Sequence, residues 1–185
     1  YYVPVNTHLT FDEVSYIVDD CRARALFIDA SMGELAAQLR ARDGGVERWV
    51  VVGGEWDGWQ SYDHLLAEKW PEAPRSDGSE MLYSSGTTGR PKGIRRPLPT
   101  ENGSWAQGVL EKAATLLYNV TGDSVYLSPA PLYHAAGVNY TMAIQRIGAA
   151  TVVVPKFDAE ETLRLIEQHR VTHAQFVPTR FVRML

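Results

Sequence analysis

The stretch Met81-Leu82-Tyr83-Ser84-Ser85-Gly86-Thr87-Thr88-Gly89-Arg90-Pro91-Lys92-Gly93 decides how this chain is read. Residues 80–84 read as a strand. A loop with an unusual density of hydroxyls and glycines follows it. Glycines let the backbone approach an anion and turn its N–H groups toward it. Ser84, Ser85, Thr87 and Thr88 add hydroxyl donors, and Ser84 is also a candidate magnesium ligand. Lys92 adds a mobile positive charge suited to a terminal phosphate. The common phosphate loop of form G-x-x-x-x-G-K-[ST] runs straight into a helix. Here Gly86 and Gly89 stand too close together, Pro91 precedes the lysine, and Gly93 follows it where a hydroxyl residue would be needed. The helix-dipole arrangement of that loop is therefore not expected.

Around the loop, helical and strand periods alternate. Thr10 and Glu13 form a capping box ahead of Val14, Ile17 and Val18. Ala25–Ile28 predicts a buried strand. Ser31 and Glu34 suggest a second capping box, opening a helix through Leu35 and Leu39. A strand is expected from Trp49 to Val52, and Ser61 caps a short helix through Leu65 and Leu66. Residues 71–78 are polar and rich in Pro and Gly. A helix with Trp105, Val109, Ala113 and Leu117 on one face then precedes a strand at Val125–Leu127. The pattern continues with a helix at Ala135–Ile147 and a strand at Ala150–Val154. Asp158 and Glu161 open a helix with Leu163 and Ile166 on its apolar face. Last come a strand at Ala174–Val177 and a helix started by Pro178. Strands alternating with helices predict an α/β fold with a mainly parallel sheet and flanking helices. Residues 1–70 read as a first α/β portion, 71–80 as a linker, and 81–185 as a second α/β portion carrying the loop.

The chain has 185 residues, 45% hydrophobic and 22% charged, with a formal net charge of -4. The pI near 5.7 argues against nucleic acid as the main partner. Cys21 stands alone. No internal disulfide can form, which suits a reducing cytoplasm, and Cys21 reads as a buried helix residue. No apolar run approaches the length of a membrane span. The five histidines show no zinc-ligand spacing. His8, His64, His169 and His173 read as surface or helix-end residues.

The loop closely resembles the AMP-binding signature of the adenylate-forming superfamily, which includes acyl-CoA synthetases, amino-acid adenylation domains and firefly-type luciferases. Two further stretches extend the resemblance over the chain. Val3-Pro4-Val5-Asn6-Thr7-His8-Leu9-Thr10 looks like the segment before the helix that leads to Asp20. Ser128-Pro129-Ala130-Pro131-Leu132-Tyr133-His134-Ala135-Ala136-Gly137 looks like the family's second landmark. The fold implied is an incomplete part of the large N-terminal domain of such an enzyme.

The resemblance implies ATP-phosphate contacts from Ser84, Ser85, Gly86, Thr87, Thr88, Gly89 and Lys92. It also implies an acyl-substrate pocket at Tyr133 and His134, with Gly137 letting a helix pack close. Outside this context, a histidine between Tyr and Ala is an ordinary core residue. Arg95 and Arg96 could assist a polyphosphate or coenzyme A, or simply be solvated. The cofactors and co-substrates implied are ATP, Mg2+ and coenzyme A, and the partner is a small-molecule carboxylic acid. Amino-acid-activating relatives carry an aspartate in the second landmark, and no Asp lies between Ser128 and Ile147. A fatty, aryl or steroid-like acid is therefore expected, first adenylated and then joined to coenzyme A. The family's later motifs are not in this sequence, so the expectation is an internal fragment, with no catalytic residue of its own, that does not form adenylate alone. Homo-oligomerisation through apolar surface is a further expectation. The competing readings are a non-catalytic nucleotide-binding module, an amino-acid adenylation domain, and an α/β fragment that binds nothing.

Overall fold

The computed structural model describes residues 1–42, 44–72, 78–84, 90–98 and 105–185. The chain folds as two compact units. One comprises Val5–Arg75 and Tyr83–Arg95; the other comprises Tyr1–Pro4, Ser76–Leu82 and Arg96–Leu185. Residues 83–95 thus group with the first seventy-odd residues. Among the described residues no helix is long and apolar enough to cross a membrane.

In the unit built on Val5–Arg75, α1 (Phe11–Asp20) starts at Thr10, whose side chain accepts from the Glu13 N–H while the Glu13 carboxylate accepts from the Thr10 N–H. It buries Val14, Ile17 and Val18. The parallel sheet has the order β1-β2-β3, from β1 (Ala25–Asp29), β2 (Arg48–Val52) and β3 (Gln60–Ser61). The central strand β2 carries Val50 and Val51, at 1% and 0% exposure. Helix α2 (Gly33–Ala41) contributes Ala36 and Leu39 to the core. Val14, Val18, Leu39, Val46 and Trp49 form one buried cluster. Helix α3 (Tyr62–Ala67) follows, and the end of β4 (Met81–Ser84) pairs with β5 (Lys92–Arg95) in a two-stranded sheet.

Two caps differ from expectation. Ser31 does not cap α2. The Asp29 carboxylate accepts from both the N–H and the hydroxyl of Ser31, at 2.9 and 2.6 Å. The resulting 3-10 turn, Ala30–Met32, delays the helix to Gly33. Ser61 stands at the N-cap of α3 without a capping bond. Cys21 lies just past α1 as its C-cap, half-buried, rather than inside the helix. Its burial pushes the thiol pKa up.

In the other unit the parallel order is β7-β6-β8, from β6 (Val125–Ser128), β7 (Ala150–Val153) and β8 (His173–Ala174). The central strand is again the most buried: Leu127 and Ser128 are fully enclosed. Helices α4 (Trp105–Tyr118), α5 (Ala135–Arg146), α6 (Ala159–Gln168) and α7 (Pro178–Met184) complete it. Ala114, Val120, Tyr126, Ile144 and Ala149 form its cluster.

Helix α4 is rotated from its expected face. Val109 and Leu117 are 58% and 72% exposed, while Ala114 is buried at 2%. Ala114 shares a face with Glu111, whose carboxylate lies 3.8 Å from the Arg146 guanidinium on α5. The small residue allows close helix packing where a leucine would not. In α6, Thr162 is buried and Leu163 is 49% exposed. The expected Ala174–Val177 strand shortens to His173–Ala174, because Val177 serves as N-cap for the helix that Pro178 opens. His173 is half-buried, with Nε2 2.8 Å from the Tyr118 carbonyl and Nδ1 2.7 Å from the Thr172 hydroxyl. It is a strand residue rather than a surface or helix-end one.

Candidate functional site

The hydroxyl-rich loop connects two strands, β4 and β5, and not a strand to a helix. This agrees with the expectation that the loop does not run into a helix as the common phosphate loop does. Ser84 ends β4 and Lys92 opens β5, both exposed. Ser85, Gly86, Thr87, Thr88 and Gly89 lie outside the described residues.

The stems on either side are tied down. The Tyr83 hydroxyl donates to Asp20 Oδ2 at 2.5 Å. Burial, then this hydrogen bond, pushes the Tyr83 phenol well above its ordinary range, so it remains a donor. The Arg90 guanidinium carbon lies 5.5 Å from the centre of the Tyr16 ring, within cation–π range. Sequence reading missed Asp20 and Tyr16, which lie far from the loop in sequence.

Arg96 is exposed, and it also faces a carboxylate. Its guanidinium lies 3.7 Å from the Glu80 carboxylate, whose side chain is 8% exposed. Arg95 ends β5.

The second candidate cluster lies in the other unit, past the C-terminal end of the central strand β6. In open parallel sheets, ligand sites form outside the carboxyl ends of the strands. The chain leaves β6 at Ser128, passes the buried Pro129, and turns into α5. The Ser128 hydroxyl accepts from Thr141 Oγ1 of α5 at 2.9 Å, both groups buried, which pins strand end to helix. Arg180 donates to the Pro129 carbonyl and stacks over Phe157 at 4.8 Å. Its desolvation lowers its pKa.

On this anchored segment the Tyr133 and His134 rings lie 4.5 Å apart, tilted by 56°. Tyr133 is half-buried and His134 exposed. His134 is the N-cap of α5, and its side chain makes no capping bond. Gly137 is buried, and a Cβ placed there would collide with the Pro131 carbonyl. The expected close approach at Gly137 is therefore present, and it is between α5 and its own leading loop.

Among the described residues, no group of three or more His, Cys, Asp or Glu side chains could hold a metal ion. The Ser84 hydroxyl, exposed at the end of β4, is an oxygen donor of the hard kind that magnesium takes.

The AMP-binding enzyme family matches residues 1–185, and the chain belongs to it. Indoleacetate–CoA ligase of Aromatoleum aromaticum is 31% identical over 193 residues, covering 100% of this chain and 36% of its own length. ATP-bound MatB of Rhodopseudomonas palustris has a similar structure, with a TM-score of 0.72 and 26% identity over 99% of this chain and 35% of its own. O-succinylbenzoate coenzyme A synthetase (MenE) of Bacillus subtilis, solved with AMP, gives 0.70 at 22% identity over 98% of this chain and 44% of its own, a likeness of fold. The chain spans about a third of the length of the curated relatives it matches.

Proposed function

We propose that the protein carrying this chain activates a carboxylic acid with ATP, forming an acyl-adenylate and then a thioester with coenzyme A. The observation that carries this is the hydroxyl-rich loop set between two strands, with Lys92 opening the second, in a chain that belongs to the AMP-binding enzyme family throughout its length. In this reading Ser84, Ser85, Gly86, Thr87, Thr88, Gly89 and Lys92 bind the ATP phosphates. Tyr133 and His134 line the acid site, and Gly137 keeps α5 tight against the loop that presents them. Magnesium enters with the nucleotide, with Ser84 as an added ligand. The carboxylate oxygen attacks the α-phosphorus and pyrophosphate leaves; the thiol then attacks the acyl carbon and AMP leaves. The task of these residues is positioning and charge stabilisation.

The acid is proposed to be fatty, aryl or steroid-like. The absence of Asp between Ser128 and Ile147 leaves an α-ammonium without a carboxylate from this segment, and burying it unpaired is costly. A substrate amino acid is the second reading, and it requires that carboxylate from elsewhere.

Calorimetric titration of this chain with Mg·ATP tests the phosphate role. Lys92→Ala is expected to weaken binding by roughly tenfold, about 1.4 kcal/mol, as for loss of a charge-assisted contact. Inorganic pyrophosphate is expected to compete. Equal affinity of wild type and Lys92→Ala would refute the role given to the loop.

A further inference from the structure

Helix α1 presents Tyr16 and Asp20 four residues apart, hence on one face. Its other face is committed to the core through Val14, Ile17 and Val18, each at 4% exposure or less. Tyr16 faces Arg90 and Asp20 faces Tyr83. Tyr83 immediately precedes Ser84, and Arg90 comes two residues before Lys92. One helix, buried along its other face, therefore holds both stems of the strand–loop–strand motif, one through a short hydrogen bond to a carboxylate and the other through a ring–guanidinium contact.

We infer that α1 is a positioning platform for phosphate binding, with Asp20 and Tyr16 acting through Tyr83 and Arg90 to set where Ser84 and Lys92 stand. This rests on the phosphate-binding reading above and adds residues to it from outside the motif. The physical need is plain. Ser84 and Lys92 are exposed on short strands, and a lysine side chain carries large rotamer freedom. A stem fixed before the ligand arrives reduces what binding must order. Asp20 also supplies the stronger of the two ties, since a phenol donating to a carboxylate is a charge-assisted bond.

Two measurements on the full chain test this. The first is Mg·ATP affinity of Tyr83→Phe, Asp20→Ala, Asp20→Asn and the Tyr83→Phe/Asp20→Ala pair. Each of the first two is expected to weaken binding roughly three- to tenfold, with the pair no worse than either alone because both remove the same bond. Asp20→Asn retains an acceptor oxygen and is expected to recover most of the affinity. A general loss of structure would not be rescued in this way. Additive losses, or an unchanged Tyr83→Phe, would overturn the inference.

The second measurement is amide hydrogen exchange over residues 83–92 without nucleotide. Exchange is expected to speed up in Tyr83→Phe, Asp20→Ala and Tyr16→Leu but not in Asp20→Asn. This arm decides the ties even if wild type proves not to bind Mg·ATP. Faster exchange with no nucleotide binding would uphold the platform and defeat the phosphate reading. Unchanged exchange would defeat the platform.

Discussion

A methyl group on Gly137 would lie 2.9 Å from the Pro131 carbonyl carbon and 3.0 Å from the Ala130 oxygen, and closer still to the Pro131 oxygen. These are backbone atoms and cannot swing aside. Helix propensity alone favours alanine over glycine by about 1 kcal/mol. Overpacking against a fixed carbonyl costs about 1–3 kcal/mol, so the clash wins. Gly137→Ala is expected to destabilise the chain and to lower its urea midpoint; a raised midpoint would mean that the loop before α5 yields. At this scale the sequence was informative where chemistry is local. Gly137, Tyr133 and His134 could be singled out from one contiguous segment. The partners of Tyr83 and Arg90 could not, because Asp20 stands 63 residues from Tyr83 and only the tertiary fold brings them together. The sequence likewise gives no sign that Arg96 stands beside the buried Glu80, 16 residues away.

Between elements, the C-terminal turn of α1 is joined to the residue after α2. Asp19 Oδ2 accepts from Arg42 Nη1 at 2.7 Å. The Arg42 side chain is 16% exposed, and among the described residues its Nε and Nη2 have no hydrogen-bond partner. Asp19→Ala therefore strips an already under-satisfied guanidinium of a carboxylate. The expected loss is about 1 kcal/mol, at the low end for a charged hydrogen bond because the Asp19 carboxylate is 58% exposed and screened. The Arg42 hydrogen bond holds the Asp19 carboxyl below its ordinary 3.8. A depressed carboxyl contributes stability that is present above 3.8 and is lost as pH falls through the lowered value. Urea midpoints of wild type and Asp19→Ala are thus expected to differ near neutrality and to converge as pH falls below 3.8 and through the lowered value. A constant gap would show that the ion pair is not the source.

Element existence was legible where a period and a cap agreed, as in α1. Element faces were less so. The 3.6-residue period of α4 fits two stripes, one with Val109 and Leu117 and one with Glu111 and Ala114. Close packing on α5 selects the smaller residues, a choice no periodicity can make. The delayed start of α2 has a local origin, since Asp29 two residues earlier takes the Ser31 N–H and hydroxyl.

Across the whole chain, burial raises the pKa of three tyrosines, Tyr2, Tyr83 and Tyr126. Tyr126 is pushed up to about 12, by burial and then by Tyr140. A raised phenol contributes stability that is complete below 10 and is lost as pH rises through the folded value. Wild type is therefore expected to lose stability steeply between about pH 10 and pH 12, with Tyr126 accounting for up to about 2 kcal/mol of it. Tyr126→Phe should shallow that slope in urea midpoints measured along the alkaline limb; an unaltered slope would shift the burden to Tyr83 and Tyr2.

The division of the chain carries one more consequence, for the order of its assembly. Tyr2 sits beside Glu80 as a parallel bridge, with the Tyr2 N–H bonded to the Ser79 carbonyl and the Met81 N–H to the Tyr2 carbonyl. On a ribosome, Tyr1–Pro4 emerges long before that partner exists. The whole of α1, β1, α2, β2, β3 and α3 is synthesised in between. The Tyr2 bridge must await its partner, and the closing of so long a loop delays the pairing further. The bridge is thus a late pairing, possible only once Ser79–Met81 has left the ribosome.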